Sequence, residues 1–185
     1  VSTSAIHPAV TRSDNTRVAH ARHQVAELLG CDDDEIVFTS GGTEANNLAI
    51  RGVAEALENR NHVITTVIEH PATQQPCSWL EQHGRNVTRV AVDGDGRALV
   101  DDVRRAISGD TALITVMHSN NETGVLQPIA ELAELAHAAG VLMHTDAAQS
   151  IVRLKLPHQP GRHVTAAATA PLRQSWPWGS RPSKR

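Results

Sequence analysis

Four short strings hold residue types that could do chemistry, and each lies at the end of an apolar run. Ser40-Gly41-Gly42-Thr43-Glu44 follows Ile36 to Thr39, and Glu69-His70-Pro71 follows His62 to Val67. His118-Ser119-Asn120-Asn121-Glu122-Thr123-Gly124 follows Thr111 to Met117, and His144-Thr145-Asp146-Ala147-Ala148-Gln149 closes the run from Val141. In the first string, small residues let backbone amides approach a ligand, and a helix N-terminus just beyond favours a phosphate. The same residues fit a plain strand-to-helix turn that needs glycine. They match neither G-x-G-x-x-G nor a P-loop. His70 could stack on a flat ring or move protons, or serve as an ordinary polar loop residue. Asn120 and Asn121 could build a turn or orient a ligand hydroxyl or carboxylate. Asp146 could hold a cationic ring nitrogen or cap a helix.

The elements that must position these strings alternate. Asn15 to Leu29 places Val18, Ala21, Val25, Leu28 and Leu29 on one helical face, with Gly30 as a stop signal. Ile36 to Thr39 reads as a short strand, and Thr43 to Asn59 resumes helical spacing. His62 to Val67, Asn86 to Val92, Thr111 to Met117 and Val141 to Thr145 read as further strands. Ala72 to His83, Asp101 to Ile107 and Pro128 to Ala139 read as helices, the last opened by proline and closed by Gly140. Helices between short apolar strands predict an α/β fold, a mostly parallel sheet with helices on both faces. Ligands bind such sheets beyond the carboxyl ends of the strands, where all four strings fall.

Composition sets the bounds. The chain has 185 residues, 40% hydrophobic and 20% charged, so a fully disordered chain is excluded. Aromatics are 2%, which leaves the core to Ala, Val, Leu and Ile. Cys31 and Cys77 cannot make a disulfide scaffold, which points to a reducing cytoplasm. No apolar run reaches the roughly 18 residues of a membrane span, and Val1 to Val10 does not read as a secretory signal. The chain has no initiator Met, as expected of a fragment or a non-standard start codon. The net charge of −3 conceals a break: 20 acids and 10 basic residues lie up to Asp146, and seven basic residues with no acid follow. Five of the nine prolines also fall after residue 156. Two segments are therefore expected, a body over 1–156 and a basic, Pro-rich, disordered tail over 157–185. No metal is expected, since no His-x-x-x-His or comparable ligand spacing occurs among the 11 His. No nucleic-acid partner is expected.

A phosphate cradle, an imidazole, an amide and a carboxylate at successive strand ends together match the needs of pyridoxal phosphate. Its phosphate needs amides and a helix dipole, its ring a stacking partner, its phenolic oxygen a donor and its pyridinium an anion. The string Ile36 to Ile50 closely resembles cysteine desulfurases, pyridoxal-phosphate enzymes of the class V aminotransferase group. Glu69-His70-Pro71, Met117 to Gly124 and His144 to Ser150 agree with that family in order and spacing. The resemblance spans roughly residues 5 to 151 and extends to selenocysteine lyase. It implies part of the large domain of the fold-type I pyridoxal-phosphate transferases. It implies that Gly42 and Thr43 hold the phosphate and that His70 stacks on the ring and shuttles protons. Asn121 and Gln149 would contact the phenolic oxygen or nearby groups, and Asp146 would pair with the ring nitrogen. The implied reaction takes sulfur from L-cysteine, leaving alanine and an enzyme persulfide, for iron–sulfur cluster assembly or thiolation. The implied partners are a second copy of the chain and an iron–sulfur scaffold or other sulfur acceptor.

The chain departs from the family in three places. The lysine that links to the cofactor, in a Ser-x-His-Lys segment beyond the Gln, has no counterpart. The two lysines here are Lys155, too close to Gln149, and Lys184, and neither follows a His. The sulfur-accepting cysteine of a later loop has no match either, and Cys31 and Cys77 read as small buried hydrophobes. The family's N-terminal Ala-Thr-Thr segment is missing, and its chains are more than twice this length. Beyond residue 156 nothing resembles the family, as expected if the reading frame shifts near residue 152. The expectation is an inactive, truncated relative of the desulfurases. The alternative is a non-catalytic remnant that acts as a binding partner of an intact subunit.

Overall fold

The computed structural model of the chain describes residues 8–148, 150 and 164–167. The elements run α1 (Pro8–Leu29), a 3-10 turn (Asp33–Glu35), α2 (Gly42–Ala56), β1 (His62–Thr66), α3 (Pro71–Gln82) and β2 (Asn86–Val90). They continue through α4 (Val100–Ala106), β3 (Thr111–Thr115), α5 (Ile129–Ala138), β4 (Leu142–Asp146) and β5 (Val164–Ala167). The strands form one sheet in the order β2-β1-β3-β4-β5. Every pairing is parallel.

The strand patterns follow from position. β1 and β3 lie in the interior of the sheet between two helical layers, and all five residues of each are buried. β2 is an edge strand and mostly exposed, with Val90 its buried residue. On one face Ile64, Ile114, Val116 and Met143 pack with Val103 of α4 and with Ile129, Leu132 and Ala136 of α5. On the other face Val63 and Leu113 pack with Ile50 and Ala54 of α2 and with Cys77 and Leu80 of α3. These cores are almost wholly aliphatic, as the scarcity of aromatics requires. At the amino ends of the strands Arg60 ties neighbours together, its Nη1 donating to the carbonyls of Thr111 (3.0 Å) and Gly140 (2.7 Å).

The chain leaves β1 for β2 through α3 in one direction and returns across β1 to β3 through α4. The direction of travel reverses, so α3 and α4 cover opposite faces. The loops after β1 and β3 therefore diverge and leave a crevice at the carboxyl edge, where doubly wound sheets bind ligands.

Two segments differ from the sequence reading. Ile36 to Thr39 is not a strand. Ile36 has extended backbone (φ −93°, ψ 121°), but no sheet edge lies beside the segment among the described residues. Arg22 of α1 occupies its flank instead, donating from Nε to the Ile36 carbonyl (3.2 Å) and placing its guanidinium over the Phe38 ring at 5.3 Å. Val37 is left 67% exposed. The second difference is β5, which lies inside the segment expected to be a disordered tail. The backbone of Val164–Ala167 pairs with Met143 to Asp146. The rest of 157–185 lies outside the described residues.

Leu132 is fully buried in the α4/α5 core. Leu132→Ala should cost about 2–5 kcal/mol in urea unfolding, through lost transfer energy and a residual cavity. Val37→Ala should change stability by less than about 0.5 kcal/mol. Equal effects of the two would contradict this placement of the core.

Candidate functional site

Five of the six sequence candidates, Gly42, Thr43, His70, Asn121 and Asp146, line one cavity of about 190 Å³ at the carboxyl edge of the sheet. The sixth, Gln149, lies outside the described residues. Asn46, Ala72, Met117, Ser119 and Ala148 complete the lining.

Each candidate is held by a local feature. Gly42 and Thr43 are the first residues of the 15-residue α2, whose N-terminus carries no side-chain cap from Gly41. Glu44, which could have competed for those amides, is turned back on Ser40, accepting from its N–H (2.7 Å) and Oγ (2.5 Å). That pairing lowers the Glu44 carboxyl below its ordinary range. Gly42 and Thr43 thus line the cavity at the uncapped, positive end of the α2 helix dipole.

His70 caps α3. Its Nδ1 accepts from the Ala72 N–H at 3.1 Å, and Pro71 opens the first turn. In the neutral ring this assigns the proton to Nε2. The capping role and the position on the cavity wall are compatible, because the cap occupies one nitrogen and leaves the ring exposed.

The two amides of the third string divide their tasks. Asn120 Oδ1 accepts from the Glu122 N–H (3.0 Å), the Thr123 N–H (2.9 Å) and the Thr123 hydroxyl (3.2 Å), which builds the turn. With that turn fixed, the exposed Asn121 lines the cavity.

Asp146, half-buried at the end of β4, is clamped on both oxygens. Asn46 Nδ2 donates to Oδ2 at 2.8 Å, and the Ala148 N–H donates to Oδ1 at 3.0 Å. Asn46 is itself fully buried. The sequence reading did not single it out, although a signal exists: Gly42, Asn46, Ile50 and Ala54 recur at helical spacing, and Asn46 is the polar member of a buried stripe.

Glu69 and His144 were also not assigned roles. Glu69 is 4% exposed, accepts from Thr66 Oγ1 (2.6 Å), and takes the Met117 N–H between both oxygens (3.0 Å each). Asn120 Nδ2 adds a bond to the Ile68 carbonyl (3.3 Å). The turn carrying His70 is thereby tied to the loop carrying Ser119 and Asn121. Burial pushes the Glu69 carboxyl up to about 7, against the pull of its Thr66 and Met117 bonds. His144 is fully buried and pairs through Nδ1 with Thr115 Oγ1 at 2.7 Å, and burial lowers it to about 4.

Neither cysteine lines the cavity. Cys77 is buried, and burial, reinforced by Glu69, raises its thiol to about 12, which leaves it unreactive. Cys31 is half-buried, and its thiol is also raised, first by burial. Among the described residues no three His, Cys, Asp or Glu gather into a group that could hold a metal ion. Among the same residues no helix is long and apolar enough to cross a membrane.

With this geometry in place, the aminotransferase class-V family model matches residues 3–159. The chain belongs to the aminotransferase class-V family. It is similar to the cysteine desulfurase IscS of Dictyoglomus turgidum, with 45% identity over 141 residues, 76% of this chain and 36% of the relative. Among solved structures it is similar to SspA in complex with cysteine, at TM-score 0.76 and 40% identity, covering 83% of this chain and 44% of that one. It is also similar to DndA from Streptomyces lividans, at TM-score 0.73 and 39% identity, covering 80% and 42%. The chain spans about a third of the length of the curated relatives it matches. The fold is accordingly part of the α/β large domain of pyridoxal-phosphate-dependent cysteine desulfurases.

Glu69 and His144 make opposite contributions to the pH dependence of stability. Between pH 4.5 and about 7 the folded state keeps a proton on Glu69 that the unfolded state has lost, so this contribution falls as pH rises. His144 stays neutral in the folded state down to about pH 4, while the unfolded ring protonates below 6.5, so its contribution is lost as pH falls through that window. The two slopes offset each other. Glu69→Gln removes the first, so the variant's stability should rise with pH more steeply than wild type between pH 4.5 and 6.5. The difference should reach up to about 1.4 kcal/mol per pH unit in urea titrations. Parallel wild-type and variant profiles would contradict the buried, protonated Glu69.

Proposed function

We propose that this chain is a portion of a cysteine desulfurase and that its cavity receives pyridoxal phosphate. The observation that carries the reading is the pairing of an uncapped helix N-terminus with a clamped carboxylate across one cavity, Gly42 and Thr43 on one side and Asp146 on the other. The residues fit the cofactor. The amides of Gly42 and Thr43 would take the phosphate, and Asp146 would hold the ring nitrogen. His70, with its ring set by the α3 cap, would lie against the ring and present Nε2 for proton movement. Asn121, and Gln149 beside Asp146 in sequence, would contact the phenolic oxygen. Bound pyridoxal phosphate would supply the electron sink that weakens bonds at an amino-acid α-carbon.

The reading extends to L-cysteine as substrate, as the cysteine bound to the similar SspA supports. It extends to a homodimer and to delivery of sulfur to an iron–sulfur scaffold or another acceptor protein in the cytoplasm. The 185-residue chain by itself holds neither a Ser-x-His-Lys segment nor a cavity thiol. Two functions of the full reaction, covalent cofactor attachment and sulfur acceptance, are therefore without a residue to perform them.

The purified 185-residue chain should bind pyridoxal phosphate reversibly in an absorbance titration. Asp146→Asn should weaken that binding about tenfold, since the substitution removes the charge from the hydrogen bond to the pyridinium. No alanine should be released from L-cysteine, and borohydride reduction should leave no cofactor on Lys155 or Lys184. Unchanged affinity in Asp146→Asn would overturn the cofactor reading, and alanine release abolished by His70→Ala would overturn the inactivity of the isolated chain.

A further inference from the structure

Beneath the cavity lie two buried polar atoms that nothing in the site yet uses. Asn46 Oδ1 and His144 Nε2 both lack a hydrogen-bond partner, and both residues are fully buried. Leaving either atom buried and unpaired is costly, so a donor–acceptor match between them would have a large effect. Three observations say they match.

First, the orientation of Asn46 is fixed by chemistry. A carboxylate accepts and does not donate, so the group facing Asp146 at 2.8 Å must be the NH₂, which turns Oδ1 away from it. Second, His144 and Asp146 are two apart on β4 and point to the same face, about 6.6 Å apart along the strand. Leu142 on that face packs against the α2/α3 core, so this is the face turned toward α2 and α3. Asn46 reaches Asp146 from α2, and His144 is the next residue of β4 on that face. Third, Thr115 Oγ1 already holds Nδ1 of the ring at 2.7 Å, and a hydroxyl can donate there. The other nitrogen is then free to carry the proton that Oδ1 needs.

We propose that His144 is a positioning residue for the cofactor site. Its Nε2–H, joined to Asn46 Oδ1 through a bridging water, would lock the Asn46 amide that clamps Asp146. The chain runs from the Thr115 hydroxyl to His144 Nδ1, from Nε2–H to Asn46 Oδ1, and from Asn46 Nδ2 to the carboxylate on the cavity wall. Donors and acceptors alternate along it without conflict. Burial, which keeps the ring neutral against the opposing influence of Asp146, is consistent with a ring that carries one proton. Without His144 the Asn46 amide could rotate, and Asp146 would keep only the Ala148 N–H. The importance of the lock for the site rests on the pyridoxal-phosphate reading. The lock itself is a property of the ligand-free chain, so its test does not depend on that reading.

The test is ¹H–¹⁵N NMR of the ligand-free 185-residue chain at fixed pH. The wild type should show the His144 ring proton on Nε2, exchanging slowly with solvent. Asn46→Leu should speed that exchange about tenfold or more, the effect of losing one buried hydrogen bond, while the backbone amides of Met143 and Thr145 keep their protection. His144→Phe should speed exchange of the Asn46 side-chain amide protons to a similar degree. It reads the other end of the same chain if Asn46→Leu does not fold. A proton on Nδ1 in the wild type, or Asn46 amide exchange unchanged in His144→Phe, would overturn the proposal.

Discussion

A ligand-facing carboxylate at the end of a buried strand has a defined direction only when both of its oxygens are engaged. The Ala148 N–H takes one oxygen of Asp146, and the Asn46–Asp146 bond takes the other across 100 residues of sequence, joining the first turns of α2 to the last residue of β4. The bond also fixes a second relation. Gly42 and Thr43 sit one helical turn from Asn46, so holding Asn46 against Asp146 sets the distance between the α2 amides and the carboxylate. The two ends of the candidate site are therefore positioned by one contact, and the aliphatic packing of Ile50 and Ala54 on the sheet keeps α2 in register.

The sheet order does the rest. Reversal of direction between β2 and β3 opens a crevice at the carboxyl edge between β1 and β3, but divergent loops would leave its walls free to move. Glu69 closes that freedom by holding the backbone N–H of Met117 from the opposite loop. The cost is a carboxyl group buried without a cation, and the structure tolerates it by raising the group toward neutrality. Asn46, Glu69 and Asn120, polar groups at the carboxyl end of the sheet, thus each hold a residue or loop that lines the cavity.

Much of this was legible in the sequence because local patterns and the global fold agree. The apolar runs at His62, Asn86, Thr111 and Val141 each formed a strand within a residue or two, and α3 and α5 began and ended near Pro71, His83, Pro128 and Gly140 as proline and glycine chemistry requires. Ile36 to Thr39 misled, because a β-rich run becomes a strand only where an edge is available, and here Arg22 takes its flank. The candidates on loops were found by residue type and place. Asn46, Glu69 and His144 act from a helix interior, beneath a loop and within a strand, and their partners are set by the three-dimensional packing of α2, β1, β3 and β4. Spacing along the chain marks Asn46 as an anomaly in a buried stripe but gives no indication that its partner is Asp146.

The central claim is that the α2 N-terminus and Asp146 bind one ligand between them. The direct measurement is the shift of backbone amide resonances on adding pyridoxal phosphate to the 185-residue chain, with inorganic phosphate as the comparison. The account predicts that pyridoxal phosphate moves Gly42, Thr43 and Ala148 together along one saturating curve, while phosphate alone moves only Gly42 and Thr43. Shifts confined to Gly42 and Thr43 with both ligands, or none at these residues, would contradict it.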